Sequence, residues 1–448
     1  MRQKHIDQVS IFDLFSNHEI GKELKAMSAR LDRHRDILDW VARDLQVHDV
    51  GDTGRQGLPA ESVLRCALLK QYRQLSYQEL AFHLSDSASF QAFARLPPTL
   101  FPKKSVLQKT ISVIQPATWE RINQRLLGDA RTEKVESGKK IRIDSTVTET
   151  TIHAPTDSSL LWDCVRVMLR LLKQAQAISA GPAIEFCNHQ RLAKKRARAI
   201  IYTRGKDKKA RLYRDLLKAT TNTLAYLEQA QITLVRTSGA SLQAELWNAQ
   251  VEHYKPLIKQ VIDQTQRRVL QGEKVPVSDK IFSIFETHSD MIIKGSRDIQ
   301  YGHKLNLSSG KSGLILDLVI ETGNPADTDR LLPMLDRHIK NYAAVPRQLA
   351  VDGGYASKAN LDAAKERGVE DVAFHKKRGL SIEAMVKSQW VYRQLRNFRA
   401  GIEAGISCLK RAYGLSRCSW KGLTHFKSFV WSSVVAHNLV LLARLKPA

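Results

Sequence analysis

The sequence predicts an α/β architecture with two helical additions, one ahead of the core and one inserted into it. Three observations predict it. Residues 1 to about 135 read as helical. From Lys139 onward, with one block left out, the order is strand, strand, strand, helix, strand, helix, strand, helix. The block left out is helical again and parts the first strand from the rest. The chain thus divides into a helical N-terminal domain (1–135), the first core strand (136–157), a helical basic insertion (158–277) and the remainder of the core (278–448). A length of 448 residues favours two or three domains, and 43% hydrophobic residues suffice to fill their cores.

In the N-terminal part the clearest helix runs from near Pro59 to about Arg73, with Val63, Leu64, Ala67 and Leu68 at helical spacing. Ser76 followed by Glu79 has the spacing of a capping box. Ser85-Asp86-Ser87 breaks that helix, and Pro97-Pro98 forces an irregular stretch. Pro102-Lys103-Lys104-Ser105 leads into another amphipathic helix. Short helices with basic turns, Lys103 and Lys104 among them, fit a helix-turn-helix-like DNA-binding unit. A helical packing or dimerisation domain fits the same periodicity, and the two readings stay open.

KKIRIDSTVTE alternates apolar and polar residues and reads as a strand. Helical periodicity returns near Ser158, where Leu161, Val165, Met168, Leu169 and Leu172 form one stripe, and runs to about Gln271 with a break near Gly181-Pro182. Strand signals resume at Ile281–Phe285 and continue through His303–Leu307 and Leu314–Ile320, with a hairpin turn at Ser309–Gly313. Asp329–Tyr342 reads as a helix, Arg347–Val351 as a buried strand, Lys358–Arg367 as a helix and Val372–Phe374 as a short strand. Gln389–Tyr413 is a long helix rich in Arg.

Seventy Lys and Arg against 45 Asp and Glu leave a formal charge of +25, which suits a polyanionic partner, nucleic acid first. No apolar stretch reaches the roughly 18 residues of a spanning helix, and the charged start, Met1–Ile20, is unlike a signal peptide. A cytoplasmic, nucleoid-associated protein is expected. Five cysteines without a CxxC pair argue against a disulfide framework or a zinc ribbon. The charge is densest from Arg191 to Lys218, where twelve Lys or Arg face two acids, Asp207 and Asp215. Lys194, Lys195, Arg196 and Arg198 are the candidates for a DNA-backbone stripe, with Tyr202 and Tyr213 interleaved; a solvated helix face is the alternative.

Three acids sit where this architecture can bring them together. Asp144 lies in the first strand, Asp352 just past the buried strand Leu349–Val351, and Glu403 on the long Arg-rich helix. If the first strand is central and the fourth lies beside it, the two aspartates emerge side by side, and a helix packed across the sheet adds the third carboxylate. Three oxygen donors suit Mg²⁺ or Mn²⁺ rather than zinc, and a pair of such ions suits phosphodiester chemistry. Gly353-Gly354 after Asp352 are read as freeing the backbone to turn. Arg399, Glu403 and Lys410 fall on nearly one helix face, a carboxylate between two phosphate-positioning cations; an i,i+4 ion pair of Arg399 with Glu403 on a surface helix is the alternative. His153, His288 and His303 fall near these acids in sequence but are read as structural rather than as ligands. Asp327 and Asp329 are read as caps of the following helix, with Asp327 also within range of the site.

These residues resemble the DDE transposases of bacterial insertion sequences. Arg399, Glu403 and Lys410 match the R-x3-E-x6-K signature, RIDST around Asp144 resembles the group's first acidic motif, and VDGGY around Asp352 resembles the second. DSTVTETTIHAPTDSSLLWDCVRV, FETHSDMIIKG, YGHKLNL and ETGNPADTD resemble the ISNCY group, and Leu58–Leu96 resembles the helical N-terminal domain of such enzymes. Arg396 stands where related groups carry a Tyr, and is assigned only a phosphate contact. The resemblance implies a ribonuclease-H-like catalytic core. It implies Asp144, Asp352 and Glu403 as catalytic metal ligands for two Mg²⁺ or Mn²⁺ ions. Its partners are double-stranded DNA, both element ends and target, with no membrane, and a homodimer or higher oligomer on that DNA.

Overall fold

The stretch KIRIDSTVTET forms the first strand, β1 (Lys140–Thr150), which is buried on both faces. A strand covered on one face would expose every second residue. Here Arg142, Asp144, Ser145, Thr146 and Thr148 are buried along with Ile141, Ile143 and Val147. The computed structural model describes residues 18–46, 57–97, 99–179, 183–237, 241–294 and 298–445. The first seventeen residues, Pro98 and the expected break at Gly181–Pro182 fall outside them.

Strands β2 (Asp290–Lys294), β3 (Asp298–Ser309), β4 (Ile315–Ile320), β5 (Gln348–Val351), β6 (Asp371–Phe374) and β7 (Arg417–Cys418) join β1 in one sheet. Its order is β2-β3-β1-β5-β6, with β4 also on β3 and β7 on β1. β1 runs antiparallel to β3, with Asp144 opposite Leu307, and parallel to β5, with Ile143 opposite Val351. The β3–β4 turn falls where the Ser-Gly-rich stretch places it. Glu136 holds it by accepting from the Ser312 backbone N–H (2.9 Å) and hydroxyl (2.7 Å).

Ahead of β1 come α1 (Glu19–Asp32), α2 (Asp36–Leu45), α3 (Ala60–Tyr72), α4 (Tyr77–Asp86), α5 (Ala88–Phe93), α6 (Lys104–Ile111) and α7 (Pro116–Thr132). The capping box forms as its spacing predicts. The Glu79 N–H donates to Ser76 Oγ (3.2 Å) and the Ser76 N–H to Glu79 Oε2 (2.7 Å). α3 is buried on all sides, Glu61, Arg65 and Lys70 included, and Arg65 pairs with Glu61 (2.9 Å) and Asp32 (2.7 Å). A helix enclosed in this way cannot enter a DNA groove, so the periodicity at 60–72 marks a packing element. Lys103 and Lys104 are exposed at the start of α6.

After β1 the chain forms α8 (Asp157–Ile178), α9 (Gln190–Tyr202), α10 (Lys206–Thr237) and α11 (Leu242–Thr265). Their core is separate from that of the sheet, and contains the predicted stripe Leu161, Val165, Met168, Leu169 and Leu172. Residues 281–285 are not a strand, contrary to their apolar pattern. Ile281 and Ile284 fill the core of these helices instead. A side chain replaces the missing strand partner: the Ile281 N–H donates to Gln264 Oε1 (2.8 Å), and Gln264 Nε2 donates to the Ile281 carbonyl (3.3 Å). The helical unit is therefore Ile152–Met291, wider than the 158–277 expected, because residues on both flanks pack into it.

The core closes with α12 (Leu331–Tyr342), α13 (Lys358–Glu366), α14 (Ile382–Met385), α15 (Gln389–Ala412) and α16 (Leu423–Arg444). α15 lies against β1, β5 and β6. α16 packs on α1, α3 and α7. With a mean hydropathy of 1.3 it is long and apolar enough to cross a membrane, which no stretch was expected to be. Most of it is buried in the fold, where Ser428 donates to the Ile114 carbonyl (2.8 Å) and Asn438 Nδ2 to the Ile315 carbonyl (2.8 Å). The N-terminal helices, the sheet and α16 share one hydrophobic core, so residues 18–132 are not a separate body.

Candidate active site

Asp144 is the fifth residue of β1, and Asp352 is the first after β5. The parallel register that pairs Ile143 with Val351 sets the two aspartates at one level of adjacent strands. α15 turns Leu395, Arg399, Ile402 and Leu409 into the protein. At Gly401 the helix faces the guanidinium of Arg142. A Cβ there would stand 2.1 Å from Arg142 Nη1, and that guanidinium donates to the Phe398 carbonyl (2.7 Å) and to Ser309 Oγ (2.8 Å).

Arg399 joins the three acids. Its Nη2 lies 3.1 Å from Asp144 Oδ2 and 3.2 Å from Asp352 Oδ1, and its Nη1 lies 2.8 Å from Glu403 Oε1. The Asp144 side chain is 12% exposed, that of Asp352 38% and that of Glu403 60%, so the cluster opens from a buried end toward solvent. The remaining oxygen of Asp144, Oδ1, accepts from the Ser145 N–H (2.8 Å).

A second polar group adjoins the cluster. The fully buried Tyr355 donates its hydroxyl to Asn306 Oδ1 (2.8 Å), and Asn306 Nδ2 donates to Glu321 Oε1 (2.8 Å). Burial, then the charges of Asp327, Asp144 and Asp352, push the Tyr355 hydroxyl well above its usual range, so it stays a donor. Lys304 pairs with Asp327 (2.7 Å) and donates to the Pro325 carbonyl (2.7 Å). Gly353 and Gly354 have no positive φ. They are required by close approach: a Cβ would stand 2.6 Å from Lys376 Cβ at the first and 2.8 Å from Asp327 Oδ2 at the second.

The donor set fits a hard divalent cation: three carboxylates from three elements converge on one positive centre, with no sulfur or imidazole among them. Among the described residues no three His, Cys, Asp or Glu side chains are close enough to hold an ion as they stand. The guanidinium provides the positive centre at which they meet.

The other sequence-derived candidates are placed as follows. Lys410 is half-buried near the end of α15, and Arg396 is exposed on the same helix with its guanidinium 6.0 Å from the Tyr392 ring. Lys194, Lys195 and Arg198 are exposed on α9, whose Ala193, Ala197 and Ile200 are buried, while Arg196 pairs with Asp215 (3.0 Å). His153 pairs with Asp163 (2.6 Å), and His288 with Glu286 (2.9 Å). His303 contacts the Glu321 carbonyl (3.2 Å) and packs edge-on against Phe426. Sequence reasoning assigned Arg399 to phosphate, with an i,i+4 ion pair to Glu403 as the alternative; that pair forms, and the contacts with Asp144 and Asp352 were missed. The signal was present: Arg399 falls in the buried stripe between Leu395 and Ile402, a place a solvated cation avoids.

Residues 293–439 match the family described as Transposase DDE domain, and residues 18–112 match the one described as Transposase domain (DUF772). Together the matches span more than half of the chain. The first contains Asp352, Arg399, Glu403 and Lys410, whereas Asp144 lies outside both. No curated protein and no solved structure matches the chain.

Proposed function

We propose, from the premise that this chain belongs to the insertion-sequence DDE transposases and is a metal-dependent polynucleotidyl transferase, that it acts on the terminal inverted repeats of its own element. It hydrolyses the phosphodiester at each end and joins the freed 3′-hydroxyl to target DNA. The observation that carries this reading is the convergence of Asp144, Asp352 and Glu403 on one buried guanidinium. The three carboxylates would hold two Mg²⁺ or Mn²⁺ ions once Arg399 gives way to them. When bound, such ions activate the attacking oxygen and neutralise charge on the leaving one.

The chain's own residues prepare that chemistry. The β1–β5 register fixes Asp144 within a strand and Asp352 at the end of the adjacent one, where geometry is held better than on a free loop. Glu403 is the most exposed of the three and so the most open to incoming DNA. Lys410 and Arg396 position phosphates along α15, and the exposed cations of α9 add backbone contacts. Both element ends must be held at once, so the active form is a homodimer or larger on DNA.

The test is a strand-transfer assay with full-length protein and donor DNA carrying the gene's own flanking sequence, pre-nicked at the element ends. Joined donor–target products are expected with Mg²⁺ or Mn²⁺, and assembly without turnover with Ca²⁺, which coordinates more loosely. Hydrolysis that never yields a joined product would reduce the protein to a nuclease.

A further inference from the structure

We propose that Arg399 is an internal counter-cation which competes with the divalent ion for the three carboxylates, so that loading the site requires it to let go. The inference rests on reading Asp144, Asp352 and Glu403 as the metal ligands.

Three contacts carry it. One guanidinium lies within 3.2 Å of an oxygen from each acid, using Nη1 for Glu403 and Nη2 for both aspartates. Three carboxylates held together repel one another, and a partly buried site screens that repulsion poorly. Of the neighbouring cations, Arg142 is engaged with Ser309 and Phe398, and Lys304 with Asp327. The cation in contact with all three acids is Arg399.

The arrangement also blocks the buried ligand. Asp144 has one oxygen on the Ser145 N–H and the other on Arg399. A small divalent ion that binds Asp144 must take or share the oxygen that Arg399 holds, at about 2.0–2.1 Å for Mg²⁺. Among the described residues the buried Arg399 Nε has no hydrogen-bond partner, so the guanidinium is oriented by its acids and not by satisfaction of all its donors. Released, the same fork suits a phosphate oxygen. Arg399 then serves in turn as a stand-in for the metal and as a contact to DNA.

The experiment measures Mn²⁺ binding to full-length protein without DNA, from the free-ion paramagnetic resonance signal. Arg399→Gln is expected to tighten Mn²⁺ binding about tenfold or more, within the usual range of coupling between competing ligands. Arg399→Lys, a single point charge that cannot span three carboxylates, should tighten it less. In Arg399→Ala, low-millimolar guanidinium chloride should weaken Mn²⁺ binding more than sodium chloride at equal ionic strength, and the wild type should show no such difference. Equal affinity in wild type and variants, or weaker binding in all variants, overturns the proposal while leaving the carboxylate site standing. Absence of Mn²⁺ binding in every protein overturns both.

Discussion

Gly401 shows how a single missing Cβ sets the position of a helix. Alanine there would place a methyl group 2.1 Å from Arg142 Nη1, forcing the guanidinium off the Phe398 carbonyl and Ser309. The better helix propensity of Ala returns about 1 kcal/mol, less than overpacking and the lost hydrogen bonds cost. Gly401→Ala should therefore lose about 1–2 kcal/mol in denaturant unfolding. Gly405→Ala, on the same helix with nothing within 4 Å of its Cβ, should gain up to about 1 kcal/mol. Equal effects at the two sites would remove Arg142 as the reason for Gly401. At this scale the acids were legible because each stood in a recognisable local setting. The contacts of Arg399 with Asp144 and Asp352 were not, because they depend on strand register, whereas its i,i+4 pair with Glu403 could be read from spacing. Gly353 and Gly354 lie in the turn expected after β5, and the close approach of Lys376 and Asp327 is a second constraint that sequence does not announce.

At the scale of elements, hydrophobic period placed most of the core's helices and strands to within a few residues. It failed where tertiary partners decide. The pattern at 281–285 suits a strand, but Gln264 satisfies its backbone and helices take its apolar side chains. α3 carries its apolar residues at helical spacing yet is buried all round, because Arg65 meets Asp32 and Ser28 of α1, Arg95 meets Glu61, and Gln71 meets Ser433 of α16. The basic helix α9 keeps a clear division between a buried Ala193–Ala197–Ile200 face and exposed cations. If those cations meet DNA, each lost phosphate contact lowers the slope of log affinity against log salt by about 0.9. Neutralising Lys194, Lys195 and Arg198 together should then flatten the slope by about 2–3. Arg196 should add less, since Asp215 already holds it. An unchanged slope makes α9 a solvated face.

At the scale of the whole molecule the described residues form two hydrophobic cores, and they divide it differently from the sequence reading. One core is confined to Ile152–Met291. The other joins the N-terminal helices to the sheet and α16, a partnership between residues some 300 apart that no local signal announces. A fragment of residues 152–291 should unfold cooperatively by itself. A fragment of residues 1–135 should not, because Trp119, Ile122 and Leu126 of α7 lose the core they are buried in. Cooperative melting of the shorter N-terminal fragment would show that its helices need no sheet. The central claim is that Asp144, Asp352 and Glu403 act as one site, and cleavage of element ends by Glu403→Gln tests it most directly. Gln keeps the size of Glu and removes the charge. Cleavage should fall to the level of Asp144→Asn and of the double variant, with end binding nearly intact, since residues acting as a unit do not lose activity additively. Cutting by Glu403→Gln at the wild-type rate would contradict it.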